Sequence, residues 1–251
     1  MPNADIILGV DVGASGIKGA LVDSTKGILV SDRIRLETPN PATPEAVAET
    51  FKELVKAFKW KKRIGVGFPS IIKKGTAYSA ANIDKNWNGL NVKKFLEKST
   101  ELPVRVINDA DAAGLAEMNY GHGKDMLGVV LLITIGSGLG SALFLDGKLL
   151  PNTEFGHVRM HGMIAEHYAS SRIRKELNLD WEEWGKRFDE YLNYMDLLVN
   201  PDQIFLGGGI SKHFDLFSPF LNVKTKLKPA KLRNNAGIIG AACFAHLDWF
   251  S

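Results

Sequence analysis

Asp11-Val12-Gly13-Ala14-Ser15-Gly16-Ile17-Lys18 sits between two apolar runs, Ile6-Ile7-Leu8-Gly9-Val10 before it and Ala20-Leu21-Val22 after it. A glycine-rich turn between two strand patterns predicts a hairpin, not the strand-to-helix turn of a dinucleotide site. Glycine lets a phosphate approach the backbone, amides and Ser15 can donate to it, and Lys18 adds charge. A tight hairpin with incidental glycines reads equally well from this stretch alone. The same layout returns in Val129-Val130-Leu131-Leu132-Ile133-Thr134-Ile135-Gly136-Ser137-Gly138-Leu139, which leads into Ala142-Leu143-Phe144-Leu145 and a further turn at Asp146-Gly147. Such an internal repeat predicts duplicated α/β lobes, each opening with a phosphate hairpin, and makes chance glycines a poorer explanation.

Between the repeats, 103–107 has the β-branched content of a buried strand, and Asn108-Asp109 falls where the helix 110–118 begins. An Asp at the carboxyl end of a strand could meet a substrate hydroxyl. Asn108, Asp109 or Asp111 could equally cap the helix. Earlier in the chain, 28–36 reads as a third strand of a meander. A helix is expected at 44–58, with Thr43 as N-cap and Pro44 in the first turn, followed by a short strand at 63–68. That order implies a mixed sheet. The polar loop 80–89 contains Asn82, Asp84 and Trp87, a combination that suits sugar hydroxyls and a sugar ring face, or else a surface loop with a packing Trp. A helix over 91–98 follows.

In the second half, Glu154, His157 and Glu166 could donate to and accept from sugar hydroxyls, or be structural. Residues 164–199 read as helical. Trp181, Trp184, Phe188, Tyr191, Leu192, Met195 and Leu198 recur near helical spacing as a stripe for core or subunit contact. Strand 204–206 enters Gly207-Gly208-Gly209 and then a helix, a place where a nucleotide or phosphate can approach backbone. A small-residue helix closes the chain at 236–250.

The composition bounds the function. With 251 residues and 45% hydrophobic content the chain can build real cores, and its net charge is only +3. The single cysteine, Cys243, excludes an internal disulfide. No secretory signal pattern or membrane-length apolar run is evident, so a soluble cytoplasmic protein without a membrane partner is expected. Cations cluster at 59–63 and again at 224–233, where Lys224, Lys226, Lys228, Lys231 and Arg233 occur without an acid. Such runs are solvated faces or tracks for a polyanion.

The set Asp11-Val-Gly-Ala-Ser-Gly-Ile-Lys, Asn108-Asp-Ala-Asp, Thr134-Ile-Gly-Ser-Gly-Leu-Gly, Glu154-Phe-Gly-His and Leu206-Gly-Gly-Gly-Ile-Ser resembles the ROK sugar kinases of the actin-like ATPase superfamily. Within them it is most similar to the polyphosphate glucokinase branch, through Leu36-Glu-Thr-Pro-Asn-Pro-Ala-Thr-Pro, Ala80-Ala-Asn-Ile-Asp-Lys-Asn-Trp and Pro151-Asn-Thr-Glu-Phe-Gly-His. The resemblance covers about residues 6 to 245. It implies two actin-like, ribonuclease H-like lobes of hexokinase type with a cleft between them, expected at 1–108 plus 237–251 and at 109–236. It further implies phosphoryl transfer to the 6-hydroxyl of glucose from inorganic polyphosphate, with ATP as alternative or second donor. A homodimer is expected from the aromatic stripe at 181–198, not from the resemblance. A non-catalytic sugar sensor is the rival from another class.

By position, Asp109 resembles the catalytic base, and Asn82, Asp84, Asn108, Glu154, His157 and Glu166 resemble the sugar ligands. Asp11, Gly13, Ser15, Gly16 and Lys18, with Thr134, Gly136, Ser137 and Gly138, resemble the two phosphate motifs. Gly207, Gly208 and Gly209 resemble the adenosine or distal-phosphate motif. Asp11 would meet Mg²⁺ through water. The segment from His157 to Glu166 lacks the cysteines that bind zinc in most of the family, so no structural zinc is expected. With the first strand expected at residue 5, no helix-turn-helix and no nucleic-acid partner is expected either.

Overall fold

In the computed structural model, which describes residues 5–80 and 83–247, the opening repeat is a hairpin of two long strands. β1 (Ile6–Gly13) pairs antiparallel with β2 (Gly16–Asp23), with Gly13 opposite Gly16 and Asp11 opposite Lys18. β3 (Ile28–Leu29) and β4 (Ile34–Leu36) both pair with β2. The single strand expected over 28–36 is thus broken in two. The Ser31 hydroxyl accepts from the Leu21 amide, taking the place of a ladder carbonyl. α1 (Pro44–Ala57) starts on the expected Thr43 cap and buries Val47, Phe51, Leu54 and Val55 against the sheet core. β5 (Ile64–Phe68) lies parallel to β1, and a small hairpin of β6 (Ile72–Lys73) and β7 (Thr76–Ala77) follows. α2 (Val92–Thr100), capped by Asn91, leads to β8 (Val104–Asn108), which is parallel to β5, and on to α3 (Asp109–Tyr120).

The second repeat begins with β9 (Val129–Ile135) and β10 (Leu139–Leu145), again antiparallel, joined to β11 (Lys148–Leu150). A short hairpin of β12 (Arg159–Met160) and β13 (Met163–Ile164) comes next. The helical pattern expected over 164–199 resolves into three helices: α4 (Glu166–Ala169), α5 (Ser171–Glu176) and α6 (Trp181–Val199). Two caps cause the breaks. The Ser170 hydroxyl accepts from Ile173, and Asp180 with Glu183 forms a reciprocal capping box after Asn178 in left-handed conformation. The stripe Trp184, Phe188, Tyr191, Leu192 and Met195 is fully buried in this unit's core, which removes it as a subunit contact; Leu198 is exposed. β14 (Gln203–Gly207) runs parallel to β9. Gly209–His213 then forms a 3-10 turn before α7 (Phe214–Phe217), in place of the longer helix expected there. β15 (Leu227–Pro229) is a parallel edge strand in the basic stretch, and α8 (Ala236–His246) ends the described chain.

The two larger sheets have orders β3-β2-β1-β5-β8 and β11-β10-β9-β14-β15, the same sequence of hairpin and parallel additions. The first compact unit runs to Tyr120 and resumes at Asn235, and the second is Gly121–Asn234. The divisions expected at 108/109 and 236/237 therefore fall at 120/121 and 234/235. The reason is α3, buried along Ala110, Ala112, Leu115 and Ala116, which packs on α8. At their crossing a methyl on Gly240 would overlap the Ala112 carbonyl oxygen, so glycine is what lets the backbones meet. Arg63, from the basic cluster 59–63, donates to the Ala245 carbonyl near the end of α8. No helix among the described residues is long and apolar enough to cross a membrane.

Candidate functional site

The first hairpin turns in two residues, Ala14 and Ser15, and its tip is braced from outside. The Arg35 guanidinium donates to the Ser15 carbonyl at 2.6 Å, and the Thr38 hydroxyl donates to the Gly13 carbonyl at 2.6 Å. Both braces come from β4 and the segment after it; Arg35 was not singled out from the sequence, and Thr38 only as part of the motif that begins at Leu36. With those carbonyls engaged, the open face of the turn presents amides. Asp11 and Lys18, facing one another across the ladder, approach to 3.5 Å with side chains 20% and 30% exposed. Burial raises the Asp11 carboxyl above its usual value, opposed by Lys18 and more distantly by Arg33. Backbone of Gly237 lies against the same carboxylate, where a Cβ would crowd it at about 3 Å. A partly desolvated carboxylate with one cationic neighbour suits a hydrated divalent cation. No group of three or more His, Cys, Asp or Glu among the described residues could hold an ion directly.

At the end of β8 the structure separates residues that the sequence left as alternatives. The Asn108 side-chain Oδ1 accepts from the backbone amides of Ala110 (2.9 Å) and Asp111 (3.0 Å), and its Nδ2 donates to Ser70 O at 3.1 Å. Asn108 is therefore the buried cap of α3. Both lone pairs of its oxygen are engaged, leaving one N–H for any sugar hydroxyl. Asp111 is fully buried, whereas Asp109 is partly exposed and accepts from the Ala110 amide at 2.9 Å. Of the two carboxylates, only Asp109 is accessible to a substrate.

Asn82 lies outside the described residues. Asp84 caps a 3-10 turn, Lys85–Trp87, by accepting from the Asn86 amide at 2.8 Å. Trp87 is fully buried, donates to Ala42 O at 3.0 Å and meets Phe68 edge-on at 4.7 Å. Its ring is a core element, and the reading of a sugar-stacking aromatic is corrected to the packing one.

In the second unit, Glu154 precedes and His157 ends a 3-10 turn, Phe155–His157. Gly156 within it packs on β10, where a methyl would overlap the Leu139 carbonyl oxygen. The Glu-x-Gly-His pattern is thus held by the first residue of the strand that returns from the second hairpin. His157 Nδ1 lies 3.2 Å from Glu154, and both are about one-third exposed. That hydrogen bond raises His157 above its usual value, with a contribution from Glu166 and against partial burial. Glu166, at the start of α4, is 6% exposed, with His167 at 3.9 Å. The three side chains form one mixed donor and acceptor set.

The second hairpin turns through Gly136-Ser137-Gly138, where the Gly136 amide donates to Gly138 O and Arg172 Nε donates to Ser137 O at 3.2 Å. Thr134 stands opposite Gly140 and beside Gly207 on β14. This tip opens on a cavity of about 640 Å³, whose lining also includes Arg172, Arg174, Lys175, Trp181, Gly209 and Lys212. Gly207 ends β14, and Gly208, at φ 79°, starts the turn that brings Gly209 to the cavity. The cationic lining was missed in the sequence. Its signal was Ser171-Arg-Ile-Arg-Lys, three cations in four positions, hidden inside what read as one long helix. The other cations, read as a solvated face or a polyanion track, are exposed: Lys224, Lys226 and Lys228 alternate along the approach to and into edge strand β15.

Two units with one strand order, each led by a strand, a glycine turn and a strand, define a two-lobe actin-like α/β protein. The model of the ROK family matches residues 7–176, and the chain belongs to that family. It is 45% identical over 243 residues to the polyphosphate glucokinase of Mycobacterium tuberculosis, covering 96% of this chain and 91% of the relative. Among solved structures, the inorganic polyphosphate/ATP-glucomannokinase from Arthrobacter sp. strain KM aligns with a TM-score of 0.95 at 44% identity, over 97% of this chain and 99% of that one. A ROK family glucokinase from Streptomyces griseus, in complex with glucose and AMPPNP, has the same fold at 24% identity, with a TM-score of 0.83 over 96% and 99% of the two chains.

Proposed function

We propose that this chain is a glucokinase that transfers a phosphoryl group from inorganic polyphosphate, with ATP as a second donor, to the 6-hydroxyl of glucose. The observation that carries the reading is Asp109, the accessible carboxylate at the end of a parallel strand, on a helix whose cap is supplied by Asn108. Asp109 accepts the hydroxyl proton as the glucose oxygen bonds to phosphorus, and the bond from phosphorus to the next bridging oxygen breaks. The electron pair leaves on the donor, which is one phosphate shorter.

Asp84, Glu154, His157 and Glu166 are the hydroxyl ligands of this reading, Asn108 contributes a single N–H, and Asn82 is kept in the set. Glu154 accepts, and His157, whose protonated form the Glu154 hydrogen bond favours, donates. The hairpin amides, with Ser15, Ser137 and Thr134, orient the donor; positioning and electrostatics supply most of the rate in such transfers. Mg²⁺ fits at Asp11, which would hold it through water, and when bound it neutralises charge on the donor phosphates. The setting we propose is a cytoplasmic homodimer.

Supplying pure protein with glucose, Mg²⁺ and either donor, then assaying glucose 6-phosphate as salt rises, tests the reading. Product from both donors is expected, with polyphosphate use falling more steeply with salt because more charge contacts carry it. Absence of product with either donor contradicts it.

A further inference from the structure

We propose that Glu190 is a positioning residue for the acceptor sugar: it ties the tip of the β12–β13 hairpin to α4 and so sets how His157 and Glu166 face one another. The inference rests on the glucose reading above and adds a residue that acts only through the sugar ligands.

The hairpin fills the interval between two of those ligands. At its root the Ala165 amide donates to the Val158 carbonyl at 2.9 Å, one position inside Glu166 and His157. Each of its strands has two residues, and so short a pair is marginal in water without outside support. Val158 and Met160 pack on the core of this unit, whereas Arg159, His161, Gly162 and Met163 are exposed. The helix that follows is no firmer by itself. α4 is a single turn of four residues beginning at Glu166, and Ala165 before it supplies no side-chain cap.

Glu190, on α6, supplies the missing support. Its Oε2 accepts from His161 Nε2 at 2.7 Å and from the Tyr168 hydroxyl at 3.2 Å. One carboxylate oxygen thus joins the hairpin tip to α4, with Glu166 in the chain between them. The His161 and Tyr168 rings lie 4.7 Å apart, and Arg187, one turn earlier on α6, sits 5.1 Å over the Tyr168 ring. His161 and Gly162 form a two-residue turn with φ of 51° and 76°. Asn-Gly is the pair best suited to two positive angles, so the turn alone does not ask for histidine; reach to Glu190 does. Stability alone does not account for the cluster either. The His161 and Glu190 side chains are 54% and 50% exposed, and exposed pairs add little to folding. What such a tie does is select one placement of a weak hairpin, and a small shift of a substrate ligand is costly.

The test uses full-length wild type, Glu190→Ala, Glu190→Gln and His161→Asn. Glucose binding is measured by calorimetry without donor, steady-state kinetics with glucose and polyphosphate varied in turn, and stability by denaturant melts. Glu190→Ala and His161→Asn should each weaken glucose binding and raise KM for glucose by about 3- to 10-fold, the loss of one or two hydrogen bonds. Their kcat at saturating glucose and KM for polyphosphate should stay within about twofold of wild type. Glu190→Gln should recover most of the affinity, because its amide oxygen can still accept from both donors. His161→Asn should be as stable as wild type or more so, since Asn suits the left-handed turn, and this separates placement from folding. Unchanged glucose affinity in Glu190→Ala or His161→Asn would overturn the proposal. So would Glu190→Gln as weak as Glu190→Ala, or equal effects on glucose and polyphosphate. If wild type binds glucose and the variants match it, the proposal fails alone; if wild type binds no glucose, the sugar reading fails and the proposal with it.

Discussion

The two glycine hairpins share a strand order but differ in what surrounds them. At the first, an acid, Asp11, sits two positions before the turn glycine and faces Lys18 across the ladder. At the corresponding place in the second stands Thr134, and the tip opens on cations rather than on a carboxylate. Each tip has an arginine on its serine carbonyl, Arg35 on Ser15 and Arg172 on Ser137, but the remaining support differs. Thr38 further holds the first tip, whereas the second returns along β10 into close backbone approach with Gly156 of the sugar motif. Duplication thus supplies two similar turns, and local side chains divide the labour: the first turn suits a hydrated cation, and the second suits phosphate oxygens and is coupled to the acceptor sugar.

That division can be broken from either side. The largest effect on it is expected from Asp11→Asn, which should raise the Mg²⁺ concentration for half-maximal activity by about 10- to 100-fold, the range seen when a residue holding a metal through an intermediary is lost. Glucose affinity in metal-free buffer should not move. If that affinity falls with the Mg²⁺ response intact, the carboxylate serves the sugar. Next is Gly156→Ala. Its methyl would overlap the Leu139 carbonyl, so the turn carrying Glu154 and His157 must shift. We expect about a 10-fold rise in KM for glucose with less change in donor KM, together with about 1–3 kcal/mol of lost stability, measured by steady-state kinetics and denaturant melts. Equal effects on both substrates would show that hairpin and sugar motif are not separately tuned.

A smaller effect is expected from pH. Glu154 raises His157, so the pair's contribution is present in full below the ordinary histidine value of 6.5 and is lost as pH rises through the raised one. KM for glucose should therefore climb as pH rises beyond 6.5 and through the raised value. In His157→Gln it should be higher at low pH and flat across that window, as a pH series of glucose titrations would show. A wild-type KM that improves as pH rises would contradict the assignment of His157 as a cationic donor.

Much of this was legible in the sequence because the signals were local. Gly13 and Gly16, or Gly136 and Gly138, between apolar runs leave a hairpin as the economical solution, and Thr43-Pro44 marks a helix start by cap chemistry alone. Asn108 beside Asp109 gave a cap and a candidate base but not which was which, since either side chain can accept from the first turn. Burial decided it, and burial is set by distant chain such as Ser70, which takes the Asn108 amide hydrogen. Trp87 illustrates the same limit. In a polar loop it reads as a ligand platform, yet Phe68, Phe95 and the Ala42 carbonyl, remote in sequence, make it core. The cationic cavity needs α5 and the turn 209–213 to meet, and no spacing rule within either segment reports that.

The most direct test of the account is Asp109→Asn, assayed for glucose 6-phosphate formation with polyphosphate at saturating Mg²⁺ and, in parallel, for glucose binding by calorimetry. A positioned base contributes about 10²- to 10⁴-fold, so turnover should fall by that much while glucose affinity stays within a few-fold of wild type. Turnover near the wild-type rate would contradict the assignment of Asp109 as the base, and with it the central claim about this site.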